Sequence, residues 1–392
     1  MSSAAQEAGP VAGLRTRPTR SRTPRAGVAT VAQVPQLTSR QWAIVGGVVA
    51  VIVVIIAAVA LAGGGDDEPT ERATTSTTTS TSTTSTTTPV AGYPLTGQPI
   101  ADQARADRPV LAVKIDNAEP RRGRGGRPQA GINQADIVFE EMVEGSVTRF
   151  LALFHSQDAD PVGPVRSARS TDLLLMEPLN RPLFAWSGAN AGVAGAVRGA
   201  PVVDVGLDAN SGPYNRAGDR PAPYNLMSAT GALYGGAASE VRPPPALFSY
   251  RPADVEPTGE SVTGVRIVFG DGPGSAPVDY EWDGAGWARS QRDTPHVDAA
   301  GTRVTPPNVV VQFTPYAEVQ CCDAAGFPIV EAQLVGEGEA WVFSAGKLIR
   351  ARWSRPAVGD VTTYTAEDGK PVLLTPGPTW VAIAPPGSAT SR

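Results

Sequence analysis

The chain has 392 residues, enough for one large domain or two ordinary ones, and 41% hydrophobic residues can build a core. Its 42 Gly and 37 Pro are too few for composition alone to imply disorder. The net charge of −5 divides unevenly: residues 1–42 carry six Arg and one Glu, so everything after them sums to −10. An acidic body excludes a general nucleic-acid binder, whose affinity comes from neutralising phosphates, and two His with two Cys exclude the usual zinc site.

Residues 43–62, AIVGGVVAVIVVIIAAVALA, are uncharged and apolar throughout. Twenty residues at 1.5 Å each match the roughly 30 Å hydrocarbon thickness of a bilayer, so a transmembrane helix is expected. Arginines precede the run while Asp66, Asp67 and Glu68 follow it, which places residues 1–42 in the cytoplasm and the body outside. The competing reading is a signal peptide cleaved after Ala60-Leu61-Ala62; both the 42-residue leader and the apolar run are long for that. Thr74–Thr88 is an unbroken run of Ser and Thr. With nothing to bury it stays extended, so residues 63–92 form a stalk reaching roughly 30 Å.

The folded region opens with a strand at Pro109–Ile115, then a Gly-interleaved basic loop, Arg121–Arg127. Asp136–Val143 and Val147–His155 read as a hairpin turning at Glu144-Gly145-Ser146. A helix follows Ser167, running through Leu173–Met176 and stopped by Pro178. Leu183–Trp186, Ala189–Arg198 and Val202–Val205 read as a parallel strand–helix–strand unit. Beyond Pro243-Pro244-Pro245 the pattern changes to short β runs at Val265–Phe269, Val278–Trp282, Val309–Phe313, Ala340–Phe343, Leu348–Trp353, Val372–Leu374 and Trp380–Ala384.

The stretches Arg108–Asn117, Arg127–Glu141, Thr148–Phe154, Val162–Arg169, Pro223–Leu226, Gly369–Pro371 and Pro376–Trp380 resemble the YerB-like family of bacterial envelope proteins. The resemblance covers about Tyr93 to Pro385. It implies an α+β fold: an N-terminal mixed α/β sheet domain, residues 93–245, then a smaller, mostly β C-terminal domain, residues 246–386. The family is one of unknown function, so no catalytic residue carries over. Many members resemble lipoproteins with a modified cysteine near the start; here no Cys precedes Cys321, and the 43–62 helix takes the anchor's place.

The strongest candidate site is Arg166-Ser167-Ala168-Arg169 with Asp172, at a helix start where free N–H groups attract anions. Paired guanidiniums suit phosphate or carboxylate. The alternative is that these arginines pair with Glu140, Glu141 and Glu144 and join helix to sheet. Along the acidic row, Glu140 and Glu144 are expected to share a face with Asp136, and Glu141 to point away. Carboxylates so placed could shuttle a proton or hold a cation, or be neutralised across the hairpin by Arg149. Asp116 and Asn117 end the first strand, Ser187 lies at a strand-to-helix turn, and Asn225 precedes a short helix. His155 and His296 read as surface or packing residues. Adjacent Cys321 and Cys322 are expected as unbridged thiols, a vicinal disulfide being the alternative.

Two functions from different classes follow. The first is a membrane-anchored envelope protein that binds or scaffolds an anionic cell-wall or lipid-head-group ligand. The second is an enzyme acting on phosphate-linked or glycosidic envelope polymers, with Asp116, Glu140 or Asp172 as the working carboxylates. No cofactor, metal or nucleic acid is expected.

Overall fold

Strands in the middle of a sheet covered on both faces must be apolar on both sides. Such segments organise this body, seen in a computed structural model that describes residues 92–120, 123–236, 242–252, 254–320, 322–323 and 326–392. The described residues form one compact unit. The basic tail, the apolar run 43–62 and the stalk to residue 91 lie outside the described residues. Among the described residues no helix is long and apolar enough to cross a membrane.

In chain order the elements are α1 (Gln103–Asp107), β1 (Leu111–Asp116), β2 (Ile137–Met142), β3 (Thr148–Phe154), α2 (Ser170–Met176), β4 (Leu183–Ala185), α3 (Ala191–Gly199), β5 (Val203–Asp204) and α4 (Thr230–Tyr234). Then come β6 (Gly264–Ile267), β7 (Val278–Trp282), β8 (Trp287–Gln291), β9 (Thr294–Pro295), β10 (Asn308–Phe313), β11 (Gly336–Ser344), β12 (Lys347–Arg355), β13 (Thr363–Ala366), β14 (Thr379–Ala384) and β15 (Ala389–Ser391). One large sheet runs β13-β12-β11-β10-β14-β2-β3-β1-β4-β5, with Glu260–Ser261 also paired to β12. It takes strands from both halves of the chain. The joint is β14, every residue of which is buried, lying parallel to β10 on one side and β2 on the other. A second sheet, β9-β8-β7-β6-β15, packs on one face of the first.

Each face of the large sheet has its own core. Toward the second sheet, Val113, Phe150 and Trp380 meet Tyr280 and Trp287. On the other face Ala112, Leu151 and Val381 pack with Leu175 and Met176 of α2 and Val193 and Val197 of α3. The N-terminal segment is clamped by a close approach. Gly97 has φ +63°, and a Cβ there would fall 2.2 Å from the Tyr250 ring, so this turn requires glycine.

The expected hairpin, the helix after Ser167 and the parallel β4–α3–β5 unit are all present. One expectation on cysteine is corrected: Cys322 is disulfide-bonded, not a thiol. Both histidines prove to be packing residues, His155 fully buried and His296 1% exposed.

Candidate functional site

β1 and β4 pair only over Leu111–Val113 and Leu183–Ala185. Beyond that point the segment 164–168 wedges between them. The Asp116 N–H donates to Pro164 O at 3.0 Å, and the Arg166 N–H to Lys114 O at 2.9 Å. On the other side the Ser187 N–H donates to Arg166 O, and the Ala168 N–H to Gly188 O, both at 3.0 Å. The wedge brings Arg166 and Arg169 out at the carboxyl ends of parallel strands, where ligands lie in open α/β sheets.

Three guanidiniums gather there. Arg166 Nε donates to Asp116 Oδ2 at 2.9 Å, and its guanidinium stands 5.6 Å from the centre of the Tyr224 ring. Arg169 grips Glu144 with two bonds, Nε to Oε1 and Nη2 to Oε2, both 2.6 Å. Burial works against ionisation of Glu144, yet the hydrogen bonds and charge of Arg169, with the charge of Arg149, hold its carboxyl below the usual range. Arg149 arrives from β3, where it faces Asp116 on β1 and Glu141 on β2. Only 9% of it is exposed. Its Nη1 donates to Ser167 O at 3.2 Å, its Nε has no partner, and it makes no ion pair among the described residues. Burial first, then the charges of Arg169 and Arg166, push the Arg149 guanidinium down to about 10.

Beneath the arginines lies a buried triad. Lys114 Nζ donates to Glu141 Oε1 and, at 2.8 Å, to Asp172 Oδ1. The other oxygen of Asp172 accepts the Arg169 N–H at 2.7 Å, which occupies the start of α2 from within the protein. Glu141 Oε2 has no partner. Burial, then the charge of Asp172, raise the Glu141 carboxyl to about 7 against the pull of Lys114.

Two family profiles match the chain: the N-terminal domain of the protein of unknown function DUF3048 over residues 95–242, and its C-terminal domain over residues 265–381. The chain belongs to the DUF3048 family. It is similar to a Bacillus subtilis (strain 168) protein named "Putative lipoprotein YerB", 31% identical over 307 residues that cover 76% of this chain and 87% of that one. The crystal structure of YerB protein from Bacillus subtilis matches at a TM-score of 0.65 and 26% identity, covering 77% of this chain and 99% of that chain. The YerB-like resemblance seen in the sequence motifs therefore holds across both halves.

In this DUF3048 member the expected site residues divide between the faces of the sheet. Arg166, Ser167, Arg169, Asp172, Asp116, Glu144 and Arg149 come together on the helix face. Glu140 and Asn117 do not. Glu140 is bonded to Arg289 at 2.8 Å and Thr148 Oγ1 at 2.8 Å, and Asn117 donates to Thr148 and Gln291 toward the second sheet. The expected common face for Asp136, Glu140 and Glu144 is thus overturned. β2 ends at Met142, so Glu144 sits in a 3-10 turn that breaks the alternation. Asp136 precedes β2, and its carboxylate accepts the N–H groups of His155 and Ser156 and the Ser156 hydroxyl. Arg149 makes no direct ion pair with these carboxylates among the described residues, although its charge helps keep Glu144 ionised. Ser187 takes part through its main-chain N–H, which donates to Arg166 O. Asn225 pins its own hairpin, accepting from Arg216 at 2.9 Å and donating to Ala217 O at 3.0 Å. In the basic loop, Arg121 and Arg122 lie outside the described residues, Arg124 is exposed and Arg127 half-buried. Glu141 points away from Glu140 as expected, but sequence reading missed Lys114 as its partner. The signal was there: a lysine inside an apolar strand asks for a buried partner. Among the described residues no group of three or more His, Cys, Asp or Glu is placed to hold a metal ion.

Proposed function

We propose that this chain is an envelope protein, anchored by residues 43–62 with its body outside the cytoplasm, that binds an anionic cell-wall or lipid-head-group ligand through Arg149, Arg166 and Arg169. The observation that carries this reading is Arg149: a nine-tenths buried guanidinium beside two others, with one carbonyl acceptor and no carboxylate of its own. A buried charge without a counter-charge is costly, and a phosphate or carboxylate entering beside it would supply paired acceptors. Membership in a family with a relative named as a lipoprotein supports the envelope setting. The enzymatic reading has less behind it. Asp116 and Asp172 are buried and hydrogen-bonded, and Glu140 lies on the opposite face.

The test is thermal unfolding of the compact unit, residues 86–392, titrated with inorganic pyrophosphate at constant ionic strength. A ligand at about 100 times its dissociation constant stabilises by about 2.7 kcal/mol. Wild type is expected to show that rise and Arg149→Gln to lose it. An Arg149→Gln variant that responds as wild type does overturns the assignment.

A further inference from the structure

The helix face carries a second feature, separate from the arginines at the start of α2. Between β10, β11, β13 and the segment 246–249 runs a cleft of about 440 Å³, within the range typical of small-molecule sites. Its walls are mostly apolar, with Val310 and Val342 from the sheet and Leu247, Val372 and Leu374 around them, and Ser249, Thr362, Thr363 and Thr365 adding hydroxyls. Phe248 and Tyr364 stack at its side, ring centres 5.6 Å apart.

A smaller hollow shares Leu247, Phe248, Thr362 and Tyr364 with the cleft and ends at Gln312 and Arg355. Arg355 closes β12 and is 2% exposed. It donates to two main-chain carbonyls, Leu174 O at 2.6 Å and Val358 O, while its Nε has no partner. It makes no ion pair among the described residues. Burial lowers its basicity, against the charges of Glu177 and Asp360. A guanidinium this well covered and without a carboxylate is the natural partner of an anion brought in by something else. The apolar walls say what the rest of that molecule is made of.

We infer that this cleft is a binding site for a single-chain anionic amphiphile, its hydrocarbon chain lying against Val310 and Val342 and its head group reaching Arg355. The charge of Arg355, which has no ion-pair partner among the described residues, selects a charged head over a neutral one. Carboxylate and phosphate heads share this chemistry.

Binding of dodecanoate, dodecyl phosphate and dodecanol to residues 86–392, below their micellar concentrations and followed by calorimetry, tests it. One or both anionic amphiphiles are expected to bind at least about tenfold tighter than dodecanol, the worth of one charge-assisted hydrogen bond. Which of the two is preferred separates a fatty-acid source from a phosphate-headed one. Arg355→Gln is expected to abolish the preference over dodecanol. Because Arg355 also holds Leu174 and Val358, a second variant guards against misfolding. Thr362→Trp, at a half-buried position shared by both hollows, is expected to block all three ligands while leaving the unfolding midpoint and the pyrophosphate response unchanged. Equal binding of dodecanol and the anionic amphiphiles to wild type, no binding of any of the three, or undiminished binding to a folded Thr362→Trp variant overturns the inference.

Discussion

His155 lies at the end of β3 with no exposed surface. Its Nε2–H donates to Arg108 O at 3.1 Å, and Nδ1 makes no hydrogen bond. Burial, then the charge of Arg108, push it from the usual 6.5 down to about 4. Between those values the unfolded chain binds a proton that the folded chain refuses, so stability falls as pH drops from 6.5 through 4, by about 3 kcal/mol in all. Glu141 works in the opposite sense. Its folded carboxyl keeps a proton up to about 7, so stability present below the ordinary glutamate value is lost as pH rises through 7. The two slopes overlap, and single variants separate them. His155→Gln is expected to flatten the acid side of a stability–pH curve measured by urea unfolding, and Glu141→Gln the neutral side. A wild-type-like acid slope in His155→Gln removes the histidine from the account.

The second sheet is held to the first through a buried polar joint between β8 and β2. Arg289 Nη2 donates to both oxygens of Glu140, at 2.8 and 3.0 Å, and Nη1 to His296 Nδ1 at 2.8 Å. His296 passes the chain on to Gln129 Oε1 at 2.8 Å. The guanidinium also sits within 5.9 Å of the ring centres of Phe150, Tyr280 and Trp380. Removing one partner of a sealed pair strands the other. Arg289→Met is therefore expected to cost about 3–5 kcal/mol, and the double variant Arg289→Met/Glu140→Met much less. Chemical denaturation of the full cycle measures the coupling, and a coupling near zero contradicts the joint. At this scale the hairpin was legible because two apolar runs, Ile137–Phe139 and Phe150–Phe154, flank the turn at Glu144-Gly145-Ser146. The partner of Glu140 was not, because Arg289 lies 149 positions away on a different sheet.

β14 comes almost last in the chain yet lies in the middle of the large sheet, parallel to β2 and β10. Without it, two buried strand edges would stand open, each a row of unpaired main-chain groups. Residues 86–375, which lack β14, are expected to aggregate or to melt without cooperativity, and so are residues 86–245. Circular dichroism and calorimetry of both fragments test this. A cooperative transition in 86–245 would mean that the first half folds alone.

By itself the sequence determined the types of most elements, the parallel β4–α3–β5 unit and the family, because these rest on local periodicity and on motifs read within short windows; it passed over β8, which carries Arg289. It also determined that Arg166, Arg169 and Asp172 are neighbours, since they are close along the chain. Only the tertiary structure decided which of the three clustered arginines lacks an ion-pair partner among the described residues. Glu144 takes Arg169, Asp116 takes Arg166, and Arg149 is left with a carbonyl. Only it decided that Glu140 belongs to the other face. Whether a charge is paired depends on which strands lie side by side, and each paired residue of β14 sits beside a β2 residue 242 positions earlier, Thr379 beside Ile137. Contacts of that separation leave no trace in the local pattern, because burial and strand order are set by the whole chain at once.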